Sequence, residues 1–226
     1  MRAALATPGC LVVLALACAC SAPPKITPVT PADADPLIRT CLAHYPPGSF
    51  ALVHAIEATL PLGNASSVIG VSSWDEETHT LSAALLAPEG IALFEAARLG
   101  GTDLLVTRAL APLDRPGFAA GLFEDLDFMY FPPGQRANGA SVKGGEPVPG
   151  RYADGRSVCR WTVDGRYFDL VPAADGGFSL SEYFEGGEPL RRYEAGPPAS
   201  DGFPMHARFV RTGATGYSMS FRLVEQ

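Results

Sequence analysis

The 226-residue chain has only four histidines, His44, His54, His79 and His206. None forms a His-x-x-x-His or His-Glu pair, and no cysteine stands at metal-ligand spacing, so no metal and no cofactor are expected. The Gly-x-Ser-x-Gly elbow of a serine hydrolase is missing. Ser66-Ser67 and Ser72-Ser73 read as strand-end serines, and no nucleophile–base pair supports an enzyme. Gly100-Gly101, Gly144-Gly145, Gly176-Gly177 and Gly186-Gly187 precede no helix that would cradle a phosphate, so they read as turns. No apolar run reaches the roughly 20 residues of a spanning helix, and there is no solenoid-type repeat. Positive charge is scarce: 17 Lys and Arg face 24 Asp and Glu, a formal charge of −7. Such a chain is not a nucleic-acid binder on charge grounds, nor would charge hold it to an anionic membrane.

What is present at the N-terminus has a familiar order. Met1-Arg2 gives a positive start, Leu11-Val12-Val13-Leu14-Ala15-Leu16-Ala17 an apolar run, and Cys18-Ala19-Cys20-Ser21 small residues around cysteine. This reads as a bacterial lipoprotein signal peptide over residues 1–19, followed by a lipidated cysteine carrying palmitate-type acyl chains. Cys20 and Cys18 both fit. Cutting before Cys20 leaves Cys41 and Cys159 as an even pair, which suits an oxidising compartment. A Cys41–Cys159 disulfide is the corresponding expectation, with two buried free thiols the alternative. The compartment is then the cell envelope, with the chain anchored by lipid.

Residues 20–36 contain Pro23, Pro24, Pro28, Pro31 and Pro36 and are expected to form an extended tether. A single domain over 37–226 follows. A helical turn is expected over 35–42, and from Ser49 onward apolar and polar residues alternate with a period of two. Asp164-Gly165 is a strong two-residue hairpin signal. Tyr217, Met219, Phe221 and Leu223 give the clearest alternation. About ten to eleven strands are expected, with a flexible stretch over 134–150. One central helix has an apolar stripe of Phe118, Leu122, Leu126 and Met129, with Asp114 as its cap and Pro116 in its first turn. A sheet of that many strands curls. The expected fold is mainly β: an open, curved antiparallel half-barrel with the helix as lid.

The polar candidates have plain readings. His79, beside Asp75, Glu76 and Glu77, reads as a solvated hairpin turn. His54 reads as a core or cavity-edge residue. Glu124, Asp125 and Asp127 are acids on the central helix; Glu124 and Asp127 share a face at i, i+3, the arrangement of a solvent-facing side. Arg191-Arg192 and Arg208 with Arg211 fit either a rim that meets lipid head groups or solvated strand edges. A helix-lidded apolar concavity with no reaction centre suits a carrier or binder. The same stripe would equally complete a filled core.

The run Ser66-Ser67-Val68-Ile69-Gly70-Val71-Ser72-Ser73-Trp74-Asp75, then Leu81 to Ala96, resembles the consecutive hairpins of LolA/LolB-like outer-membrane lipoproteins. Gly202-Phe203-Pro204-Met205 with two strands after it resembles their C-terminal ending. The resemblance implies an open barrel whose cavity takes acyl chains or lipoproteins, on an outer-membrane protein facing the periplasm and meeting a periplasmic carrier protein. The expected cavity lining is Phe118, Leu122 and Leu126 from the helix, with Leu105, Phe168 and Phe221 from strands. The resemblance also implies a membrane-insertion loop at Leu86 to Ile91 with an exposed Leu86 or Ile91, a pattern from which Glu89 departs. The alternative is an accessory lipoprotein of an envelope complex with a filled core and a partner-binding rim.

Overall fold

The computed structural model describes residues 23–59, 65–135, 146–184, 188–199, 202–213 and 216–226. The expected signal peptide and both candidate lipidation residues, Cys18 and Cys20, lie outside them. Every strand pairing is antiparallel, and nearly all join neighbours in sequence, as short turns dictate. Asp164 and Gly165 both take positive φ (49° and 74°), which is the twist a two-residue hairpin needs.

The first half of the sheet is β2 (Phe50–Thr59), β3 (Ala65–Asp75), β4 (Thr80–Leu86), β5 (Ala92–Leu99) and β6 (Asp103–Ala109). The second is β7 (Val148–Arg151), β8 (Ser157–Val163), β9 (Arg166–Pro172), β10 (Phe178–Tyr183), β11 (Pro189–Ala195), β12 (His206–Arg211) and β13 (Tyr217–Glu225). The short β1 (Thr27–Pro28) pairs with β7. The last strand, β13, lies against β2 and joins the halves, giving the order β1-β7-β8-β9-β10-β11-β12-β13-β2-β3-β4-β5-β6. The ends of this 13-stranded sheet do not meet, so the half-barrel is open. Two strands exceed the expected number, β1 and β7. Pro149 and Gly150 disguise β7, because proline is tolerated only near a sheet edge.

Helix α1 (Pro31–Leu42) begins six residues before the expected domain start at Leu37. Further upstream, Arg160 Nη2 donates to the Pro24 carbonyl at 2.8 Å. Most of the stretch expected as a tether is thus folded onto the domain. Cys41 at the end of α1 and Cys159 in β8 are joined by a disulfide.

Helix α2 (Phe118–Tyr130) runs between edge strand β6 and β7 in the chain and crosses the concave face. It packs on β5 through Phe118 against Phe94, and on β9 and β12 through Phe128 against Phe168 and Phe209. Its N-cap is Gly117 at φ 83° instead of the expected Asp114, and no side chain caps it. The left-handed glycine lets the chain reverse into the helix directly after Pro116. Leu52, Leu81, Phe94, Leu170, Leu180 and Phe209 are fully buried around it. Each apolar side chain so buried contributes roughly 1.5–3 kcal/mol.

Candidate functional site

Two carboxylates hold α2 to the sheet. Asp127 forms a two-pronged pair with Arg98 of β5, at 2.7 and 2.5 Å. Asp125 is fully buried and accepts from three strands: Arg191 Nη1 of β11 at 3.1 Å, Arg211 Nη1 of β12 at 3.4 Å, and the Tyr217 hydroxyl of β13. Arg191 also donates through Nε to Glu182 of β10, whose other oxygen accepts from Arg166 at 2.8 Å. The register explains the cluster. Glu182 lies opposite Arg191, Arg191 opposite Arg211, and Arg211 opposite Tyr217, so one polar row crosses four strands beneath the helix.

Burial pushes the Asp125 carboxyl up, against the pull of Tyr217 and the two guanidiniums. For Glu182, burial also pushes up, but Arg191 and Arg166 outweigh it and hold the group below its ordinary value. These residues correct the sequence reading. Of the three helix acids, only Glu124 faces solvent, and Arg191 is buried beneath the helix while Arg192 remains outside. The signal was present: Asp125 falls between Leu122 and Met129, inside the apolar stripe. Glu182 and Arg191 likewise share inward parity with Leu180 and Tyr193.

Between α2 and the β13-β2-β3-β4 wall lies a cavity of about 630 Å³. Phe118, Leu122, Leu126 and Phe221 line it, together with Ile56 and Val68. An apolar space is thus left beside the packed core. Gly70 contributes to the wall by lacking a side chain; a Cβ there would run into Ile56. The structure does not bring Leu105 and Phe168 to the cavity. Leu105 is 52% exposed on edge strand β6, paired with Ala97. Phe168 packs on Phe128, on the other flank of the helix. His79 sits in the exposed β3–β4 turn, where Asp75 Oδ1 accepts from the amides of Glu77 and Thr78. Among the described residues no group of three His, Cys, Asp or Glu could hold a metal ion. Leu86 ends β4 partly buried, whereas Ile91 is 59% exposed.

His54 is part of the cavity wall, edge-on to Phe221 with ring centroids 5.8 Å apart. Burial lowers its pKa to about 4. Its contribution to stability is present above the unfolded value of 6.5 and is lost as pH falls through about 4, an effect of about 3 kcal/mol. Urea titrations across that range should show a shallower acid loss for His54→Phe than for the parent chain. Identical acid limbs would mean that water already reaches the imidazole.

No protein-family model matches the chain, and no curated protein matches it. Among solved structures it is similar to a LolA superfamily protein from Nitrosomonas europaea, at 12% identity and TM-score 0.48 over 85% of this chain and 91% of that one. It is also similar to an outer membrane lipoprotein-sorting protein domain from Vibrio parahaemolyticus, at 9% identity and TM-score 0.43 over 86% and 91%.

Proposed function

We propose that the protein binds acyl chains in the cavity under α2 and serves, lipid-anchored in the outer membrane, as a non-enzymatic carrier or acceptor of acylated cargo. The observation that carries this reading is the apolar space left between a pinned helix and a curved sheet. Its volume lies within the ordinary range of small-molecule sites, about 300–1,000 Å³. Lipid on Cys20 would keep the domain at the membrane surface. Ile91, at the base of the turn closed by Ala87 N–H donating to the Ile91 carbonyl at 2.8 Å, is the apolar group offered for membrane contact, with Leu86 behind it.

Saturable binding of a fluorescent fatty acid to the mature chain, and its loss on filling the cavity, is the test. Val68→Trp should weaken binding at least about tenfold while changing stability by less than about 1 kcal/mol. The same substitution in a filled core would cost about 1–3 kcal/mol. Unaltered binding in Val68→Trp, or none in the parent chain, would sink the reading. Labelling with radioactive palmitate should disappear in Cys20→Ser and persist in Cys18→Ser; the reverse pattern moves the anchor to Cys18.

A further inference from the structure

The cavity is not uniformly apolar. Its charged lining residues, among those described, are two arginines, Arg115 and Arg211; no Asp or Glu lines it. Both stand at one end. Arg211 closes β12 opposite Tyr217, the first residue of β13. Arg115 lies two residues before the Gly117 cap, and Arg211 Nη1 comes against Gly121 in the first turns of α2. Arg211 reaches as far as Asp125, and beyond it the wall is Met129, Tyr130, Phe221 and the buried His54. The positive end of the helix dipole points the same way as the arginines, and no side chain caps it.

The charge balance of the polar row leaves a surplus. Three guanidiniums (Arg166, Arg191, Arg211) share two carboxylates, Asp125 and Glu182. Arg191 takes one prong of each acid, and Arg211 has the longest of these contacts, 3.4 Å, with its side chain 35% exposed. Arg115 is itself exposed. The mouth thus carries cationic groups in partial contact with water, above an apolar shaft. A methylene group takes up about the space of a water molecule, ~30 Å³, so the volume suits roughly twenty such groups: one acyl chain instead of three.

Resting on the acyl-binding reading, we propose that the ligand is a single-chain amphiphile with an anionic head group, a carboxylate or a phosphate. The head is held by Arg115 and Arg211 at the start of α2, and the chain runs toward His54 and Met129. A charge-assisted contact of this kind is worth more than a neutral one.

The test uses the mature chain from residue 20 with Cys20→Ser, so that no lipid is attached, and four probes with the same tail: palmitate, hexadecyl phosphate, hexadecanol and hexadecyltrimethylammonium. Displacement of a fluorescent fatty acid reads their affinities. At least one anion should bind about tenfold more tightly than hexadecanol, and the ammonium most weakly. Whichever anion is stronger identifies the head group as carboxylate or phosphate. Arg115→Gln lies outside the buried cluster, so it should remove most of the anion's advantage with the melting temperature unchanged and hexadecanol binding intact. Arg211→Gln should act in the same direction. Equal affinity for all four probes, or an anion preference untouched in both variants, overturns the head-group assignment and leaves acyl binding standing. Failure of every probe to bind overturns the acyl-binding reading itself.

Discussion

Arg191→Met is expected to cost about 3–5 kcal/mol of stability, the loss typical of removing one partner from a buried ion pair. Its guanidinium reaches two carboxylates whose side chains are each about 1% exposed, Asp125 at 3.1 Å and Glu182. It also donates to the Glu124 carbonyl at 3.2 Å and lies 5.0 Å from the centre of the Phe128 ring. Methionine fills similar space but leaves Asp125 with only Arg211 and Tyr217, and Glu182 with only Arg166. Both carboxyls should then titrate above their unfolded values. Stability from that source is present below the unfolded value and is lost as pH rises, so the deficit should be smaller near pH 5 than near pH 8. Chemical denaturation at both pH values measures this. The triple variant Asp125→Leu, Arg191→Met, Glu182→Leu should recover much of the loss, since apolar replacement of a whole buried group is often neutral or better. A single-variant loss under 1 kcal/mol would show that water relaxes into the row. Hydrogen exchange should place the first loosening in α2, because the sheet keeps its own ladder of hydrogen bonds.

Removing the disulfide is the second large effect. Cys41 and Cys159 are 118 residues apart, and closing a loop of that size removes about 4–5 kcal/mol of chain entropy from the unfolded state in the loop-closure account. The consequence is also local. Cys41 is the buried residue of α1, whose other side chains are partly or fully exposed. The double variant Cys41→Ala, Cys159→Ala should therefore shift the urea midpoint strongly, with amides of α1 losing protection before those of β8 and β9. Equal midpoints with and without reductant would refute this. The cavity proposed to take acyl chains lies on the other side of the sheet order, against β2 to β4, so any binding by the residual folded molecules should persist.

The alternation of Tyr217, Met219, Phe221 and Leu223 could be read directly, since a half-buried strand needs nothing beyond its own period. The Asp164-Gly165 turn is equally local. The stripe Phe118, Leu122 and Leu126 is also local, and it lies along the cavity. The burial of Asp125 is not local in this way, because an acid beside other acids on a helix is normally hydrated. Its partners stand 66 to 92 residues away, and no local pattern announces them. Strand parity, extended to the ends of β10 and β11, would have placed Glu182 and Arg191 inside. Leu105 shows the opposite error. Leu104, Leu105 and Val106 form an apolar run with no alternation, and on an edge strand such a run leaves side chains exposed on both faces. For β7, Pro149-Gly150 carries a loop signature that only a place near the sheet edge reverses.

The Arg160 contact with Pro24 bears on reach. A free tether of residues 20–36 would let the domain wander about 55 Å from its anchor, at roughly 3.3 Å per residue. If Cys20 carries the lipid, holding Pro24 on the sheet leaves about four residues between them, a leash of about 13 Å. The domain would then sit against the bilayer with little freedom to turn, so that any exchange of an acyl chain must occur with a donor that comes to it. Lengthening the segment between Cys20 and Pro24 with Gly-Ser repeats would restore that freedom without touching the fold.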